Sequence, residues 1–319
     1  MKFITDSEKF NYSGNHDPGS FEMWYFEALD NDGEYFFTAR IFNGSPFTSG
    51  AKKTGSDNSS ELSCGIRFYL YFQNRLIYDA VFDYKKNEFK TDNNDNDFKM
   101  LLEKNSFYFD NANNKFHLNI NYSSQEFENK FKAEFEFTPI FKKLSFFEKI
   151  TTDNQTGLYW LPVSPINQVL AKIKFYKNYK RVKSVFEGKG YIEKSFGNVS
   201  RDLKIKTTYI GKFISDIYSF VFFVSEIKDG NKNKKILVYK NNMLMIEKEE
   251  FDYTVKKTLF SSKVKSLEIK SSDLKISLKN DINIESSEFG EKYISIIDVT
   301  VNEVSILKNV YGFFNDETR

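Results

Sequence analysis

Apolar and polar residues alternate one by one along most of this chain, the period of a half-buried strand rather than the 3.6-residue period of a helix. From Gly65 to Tyr84, Ile66, Phe68, Leu70 and Phe72 share one face and Arg67, Tyr69 and Tyr71 the other. With a turn near Gln73-Asn74, this predicts a hairpin. Phe107 and Phe109 lead into the turn-forming run Asp110 to Asn114. Phe116, Leu118, Ile120 and Tyr122 then return on one face, with His117, Asn119 and Asn121 opposite. Ala133, Phe135 and Phe137 alternate with Lys132, Glu134 and Glu136. The second half repeats the pattern: Leu274, Ile276 and Leu278 oppose Lys275, Ser277 and Lys279, a turn is expected at Asn280-Asp281, and Ile282 and Ile284 follow. Ile297, Val299 and Val301 predict a late strand. Helical periodicity is best met at Asn96 to Lys104, where Phe98, Leu101 and Leu102 fall on one side, and a short helix is expected there.

Strands that are half polar and half apolar, joined by short Asn/Asp/Gly turns, predict an all-β protein of antiparallel barrels or sandwiches. Composition agrees: 35 Phe and 19 Tyr in 319 residues favour pleated, half-buried surfaces. The length suits two domains. A composition break at Thr151 to Gly157, followed by Leu158-Tyr159-Trp160-Leu161-Pro162, predicts their boundary, giving domains 1–157 and 158–319 packed together.

Charge and cysteine narrow the function. The 46 basic and 44 acidic residues are interspersed, so there is no basic stripe of the kind that binds nucleic acid. Cys64 is the single cysteine, which excludes an internal disulfide, and the N-terminal residues lack the apolar core of a signal peptide. The longest apolar stretch, Tyr218 to Val224, is strand-sized. A cytoplasmic protein is expected. His16 and His117 are the only histidines; they are far apart, and neither a metal site nor a Ser-His-Asp triad has the convergent spacing it needs. His117 is expected to face solvent and His16 to lie in a loop. Gly188 and Gly190 lack the third glycine and following helix of a dinucleotide fingerprint and read as relief of crowding at a tight strand bend. No cofactor is expected.

Three ordered segments resemble one family. Gly19-Ser20-Phe21-Glu22-Met23-Trp24-Tyr25-Phe26 is similar to an early G-x-x-E-W-W-Y-F signature, with Met23 in place of the first Trp. Trp160-Leu161-Pro162-Val163-Ser164-Pro165, and then Gly188 to Gly197, look like W-x-P-V-x-P followed by G-x-G-Y-x-[DE]-x-x-[WF]-G. Val310-Tyr311-Gly312-Phe313-Phe314 is similar to a closing G-V-x-G-F stretch. Together they resemble the lipocalin-like carotenoid 1,2-hydratase and tocopherol cyclase group, AttH-like proteins that also include fungal Diels-Alderases. After Gly197 the chain departs from the cyclase continuation, with Asn198-Val199-Ser200-Arg201, which points to a divergent member with a different substrate.

The resemblance implies two lipocalin-like β domains with a ligand cleft near their junction and chemistry on long isoprenoid or polyene lipids. Protonating an alkene needs an acid that still holds its proton near neutral pH, as a carboxyl buried among aromatics does because desolvation raises its pKa, and aromatic faces hold the resulting carbocation without quenching it. Glu193 is the candidate acid. Trp24, Tyr25, Trp160, Tyr191 and Phe196 are candidate substrate contacts. Glu22 is either a second acid or polar anchor, or a buried carboxylate paired with an arginine such as Arg40. The partner expected is a hydrophobic small molecule, with no nucleic acid and with room for transient membrane association to collect it. Two other functions fit the same residues: a lipid carrier with no chemistry, and a pericyclase that acts by folding a polyene.

Overall fold

The computed structural model describes residues 20–44, 64–84, 88–94, 97–123, 130–140, 148–149, 158–177, 180–198, 204–241, 243–259, 263–287 and 290–317. Every regular element among them is a β-strand, and every pairing is antiparallel. The all-β expectation is met. The chain forms two compact units, Met1–Ser200 and Arg201–Arg319.

The N-terminal unit holds β1 (Phe21–Asp30), β2 (Tyr35–Asn43), β3 (Cys64–Phe72), β4 (Arg75–Tyr84), β5 (Phe89–Asn94), β6 (Asp97–Leu102), β7 (Asn105–Asp110), β8 (Lys115–Ser123), β9 (Lys130–Pro139), β10 (Glu148–Lys149), β11 (Leu158–Lys177) and β12 (Lys180–Gly197). They form one sheet in the order β4-β3-β2-β1-β12-β11-β9-β8-β7-β6-β5, with β10 against β11. The long β11–β12 hairpin pairs from Leu158↔Gly197 to Lys177↔Lys180. It therefore ties residues 158–197 into the N-terminal sheet, and the units divide at 200/201 instead of at 157/158. His16 and the expected break at Thr151 to Gly157 lie outside the described residues.

The sheet curls so that its first strands face its last across rings. Phe26 on β1 meets Phe107 on β7 at 4.7 Å, Phe37 on β2 stacks on Phe135 of β9 at 4.0 Å, and Phe82 on β4 meets Tyr122 of β8 at 4.4 Å. Trp24, Phe68, Leu118, Ala133, Ile173 and Ile192 belong to this same barrel interior. Aromatic pairs at these spacings add to the burial of large apolar surfaces, which is why a Phe-rich alternating sequence closes in this way. The Gln73-Asn74 turn forms as expected, with both residues at positive φ.

In place of the helix expected over Asn96 to Lys104, the described residues form β6 (Asp97–Leu102) and the turn after it. Phe98, Met100 and Leu102 are buried while Lys99 is exposed, and pairing to β5 and β7 satisfies backbone that a helix this short holds only marginally in water. His117 lies on the outer face of β8, alternating with buried Phe116 and Leu118 as expected, and is half-buried by its stack on Tyr108 at 4.6 Å. Gly190 sits within a strand, not at a bend. A Cβ there would lie 2.5 Å from Val169 Cγ2 and 2.7 Å from Phe137 Cε1, so the glycine serves close approach.

The C-terminal unit contains β13 (Ile205–Ile214), β14 (Tyr218–Ile227), β15 (Lys232–Lys240), β16 (Met243–Lys248), β17 (Asp252–Lys257), β18 (Val264–Lys270), β19 (Leu274–Ser287), β20 (Gly290–Val301) and β21 (Val304–Asp316). Their order is β16-β15-β14-β13-β21-β20-β19-β18-β17. The two edge strands follow each other in the chain, and Tyr209 of β13 meets Tyr253 of β17 at 6.4 Å across the core. The turn expected at Asn280-Asp281 is a bulge within the continuous β19. The Asn280 side chain donates to Val264 O at 2.8 Å and accepts from Ser295 Oγ at 2.6 Å, so its polar groups are used inside the sheet rather than in a loop.

Candidate functional site

β1 and β12 pair directly from Phe21↔Gly197 to Asp30↔Gly188, and β2 continues the sheet on the far side of β1. Residues opposite each other across an antiparallel pair share a face, and neighbours along a strand do not. The candidate residues therefore divide between the two faces of the sheet.

On the face turned away from the barrel core, one row crosses Pro162, Glu193, Tyr25, Arg40 and Arg67 on β11, β12, β1, β2 and β3. The next row carries Tyr191, Glu27, Thr38 and Tyr69. The row before Glu193 carries Trp160, Ser195 and Met23. Glu193 is 1% exposed, and Tyr25, Tyr191, Trp160 and Glu27 are buried with it. The Trp160 indole donates from Nε1 to Glu193 Oε2 at 2.8 Å, a bond that sets the orientation of the carboxyl. The Arg40 guanidinium lies 4.8 Å from the centre of the Tyr25 ring. This face holds a fixed carboxyl among three aromatic side chains, a second carboxyl in the adjacent row, and two arginines two and three strands away. Sequence reasoning missed Glu27; its spacing, two residues after Tyr25 on a strand, already put it on the same face.

On the inner face lie Glu22, Trp24 and Phe196, together with Lys194, which sequence reasoning did not single out. Glu22 is a buried ion-paired carboxylate, as one of its two readings held, but its partner is Lys194 at 3.1 Å. Arg40 stands opposite Tyr25, out of step with Glu22. Lys194 is 1% exposed, and its ammonium lies 4.9 Å from the Trp24 ring and 4.8 Å from the Phe196 ring. Burial pushes this ammonium below the ordinary lysine range, and the charge of Glu22 draws it back up. Phe196 also stacks on Tyr159 at 5.0 Å, and Trp24 stacks on Phe98 at 6.1 Å. The structure thus brings Tyr25, Trp160 and Tyr191 to Glu193, and separates Trp24, Phe196 and Glu22 from it by the thickness of the sheet.

Beside β12, β11 is bulged at Pro162–Asn167. Asn167 holds the irregular stretch by donating to Ser164 O at 2.9 Å and Gly190 O at 3.2 Å, while Ser164 Oγ donates to its Oδ1 at 2.7 Å. The W-x-P-V-x-P segment is therefore a built irregularity beside Glu193, where a proline needs no ladder hydrogen bond.

The sequence matches no protein-family model and no curated protein. Solved structures do match. CghA, solved with Sch210972, has a TM-score of 0.65 at 10% identity, covering 94% of this chain and 89% of that one. CghA solved without it gives 0.65 at 8%, with 95% and 89% covered. A Nitrosomonas europaea protein named as an AttH gives 0.65 at 11%, with 99% and 97% covered. The chain shares the fold of these proteins. The AttH-like architecture implied by the three sequence segments is thus present across nearly the whole chain.

Proposed function

We propose that this protein acts on a long hydrophobic isoprenoid or polyene, and that Glu193 protonates one of its double bonds so that water or an internal hydroxyl adds. The observation that carries the reading is a buried carboxyl on β12, set between Tyr25, Tyr191 and Trp160 and oriented by the Trp160 indole at 2.8 Å. The shared fold with a protein solved together with a small molecule supports ligand binding by this architecture.

In the protonated acid, Oε2 keeps the indole hydrogen bond as the carbonyl oxygen and Oε1 carries the proton. Transfer to one alkene carbon forms a C–H bond at the expense of the π bond and leaves a positive charge on the more substituted carbon. The aromatic faces of the site stabilise that cation without bonding to it. Water or a substrate hydroxyl then supplies an electron pair, and the proton it sheds returns to the Glu193 carboxylate. No cofactor enters this sequence.

Native mass spectrometry of the purified protein with lipid extraction identifies the bound molecule, and Glu193→Gln then separates binding from chemistry. The expected result is unchanged affinity with turnover lost. Unchanged turnover with loss of activity in Trp160→Ala would select the pericyclase reading, and release of an unaltered lipid by both proteins would select the carrier.

A further inference from the structure

The inner face of the β1–β12 pair holds a polar cluster that the proton chemistry at Glu193 does not use. Lys194 and Glu22 form an ion pair at 3.1 Å, both buried, within two residues of the start of β1 and three of the end of β12, so the cluster lies near one end of the barrel. The rings of Trp24 and Phe196 flank the ammonium at 4.9 and 4.8 Å. Trp24 is 1% exposed, and its Nε1 has no hydrogen-bond acceptor among the described residues. A buried donor left unmet is costly, and the cost is recovered when a ligand oxygen reaches it. A lysine held dry inside an apolar barrel, with a carboxylate in contact, is the arrangement of a carbonyl-capturing amine.

We propose that Lys194 binds an apolar aldehyde as a protonated imine inside the N-terminal barrel, with Glu22 as counterion. Glu22 accepts an ammonium proton, and the freed Nζ lone pair adds to the carbonyl carbon. Of the three ammonium protons one stays on nitrogen and two leave with the carbonyl oxygen as water, so the C=O bond is exchanged for C=N and the single positive charge is conserved. The Trp24 indole N–H is a donor for the departing oxygen. The iminium takes the place the ammonium has now, between the two rings and beside Glu22. The burial that depresses the ammonium makes the neutral amine more accessible than on an exposed lysine. This inference is independent of Glu193, which lies on the other face of the sheet.

The test is reductive trapping: the protein is exposed briefly to dodecanal and sodium cyanoborohydride at pH 7, and modified lysines are mapped by peptide mass spectrometry. Burial favours the neutral amine, and an aldehyde held in the barrel meets it at a raised effective concentration, so Lys194 should be alkylated about tenfold faster than exposed Lys132 or Lys206. Glu193→Gln should label as wild type, and Lys194→Met should lose the fast site. Because Lys194→Met is itself a buried substitution, wild-type protein unfolded in urea provides a second measurement, in which the preference for Lys194 should vanish. Native protein labelled at Lys132 and Lys206 but not at Lys194 would overturn the proposal.

Discussion

Replacing Lys194 by Met removes the cation from the buried pair and takes from Glu22 its ion-pair partner at 3.1 Å. Both members of the pair are almost fully excluded from solvent, at 1% and 4% side-chain exposure. The exposed pair Lys132–Glu134, at 3.0 Å and 52% and 44%, has a similar separation but stays hydrated. Breaking a buried pair by removing one partner costs about 3–5 kcal/mol, against about 0–1 kcal/mol for an exposed one. A domain of this size loses roughly 2–4 °C of Tm per kcal/mol, so Lys194→Met should lower the N-terminal transition by about 6–20 °C. Lys132→Met should shift it by no more than a few degrees. The double variant Glu22→Gln with Lys194→Met removes both charges and should be more stable than Lys194→Met alone, a coupling of roughly 1–3 kcal/mol. Differential scanning calorimetry, with urea denaturation at 25 °C as a cross-check, measures the wild type, Lys132→Met, Glu22→Gln, Lys194→Met and the double variant. A Lys194→Met loss under about 1 kcal/mol, or strictly additive losses in the double variant, would refute the placement of this pair in a dry interior.

Phe37→Ala, which deletes a fully buried ring stacked 4.0 Å from Phe135, should cost about 3–5 kcal/mol, read as a lower urea midpoint at constant slope. Gly190→Ala would place a methyl 2.5 Å from Val169, 2.7 Å from Phe137 and 2.8 Å from the Glu27 carbonyl, and should cost about 1–3 kcal/mol by overpacking, visible in the same titration. Hydrogen bonds from Asn113, Lys132, Lys206 and Lys248 hold the carboxyls of Asp110, Glu134, Glu226 and Asp273 below their ordinary values of 3.8 and 4.5. Their folded pKa values are the lower ones, so the unfolded chain binds more protons in the acid window. The stability they contribute is complete above that window and lost as pH falls through the folded values. Tm measured against pH should therefore decline below about pH 4.5, and less steeply in a variant with all four carboxyls made amides.

The strands were legible in the sequence because one-residue alternation has a single physical reading when one face is buried. Phe116, Leu118 and Ile120 point inward as their spacing requires, and Gln73-Asn74 turn where a hairpin needs positive φ. Asn96 to Lys104 misled because adjacent Leu101 and Leu102 mimic a helical stripe, whereas pairing with β5 and β7 decided the element. Asn280 misled for a related reason: a turn-forming residue also suits a bulge when its side chain finds partners within the sheet. The division of the candidate site between two faces was present in the spacing, since Trp24 and Tyr25 are neighbours on one strand. That Lys194 turns inward follows from the same rule applied to Ile192, Lys194 and Phe196, but a lysine between apolar residues reads as a surface position until its carboxylate partner on another strand is placed. The 1% exposure of Glu193 depends on packing from distant segments, which no local pattern encodes.

The measurement that bears most directly on the proposed chemistry is incubation of the wild-type protein and Glu193→Gln in D2O with the lipid recovered from the native protein, or with squalene as a probe isoprenoid. Products are then read by mass spectrometry for carbon-bound deuterium. Protonation by Glu193 predicts one non-exchangeable deuterium in each product molecule from the wild type and no product from the variant. Product free of carbon-bound deuterium, or equal product from Glu193→Gln, would contradict it.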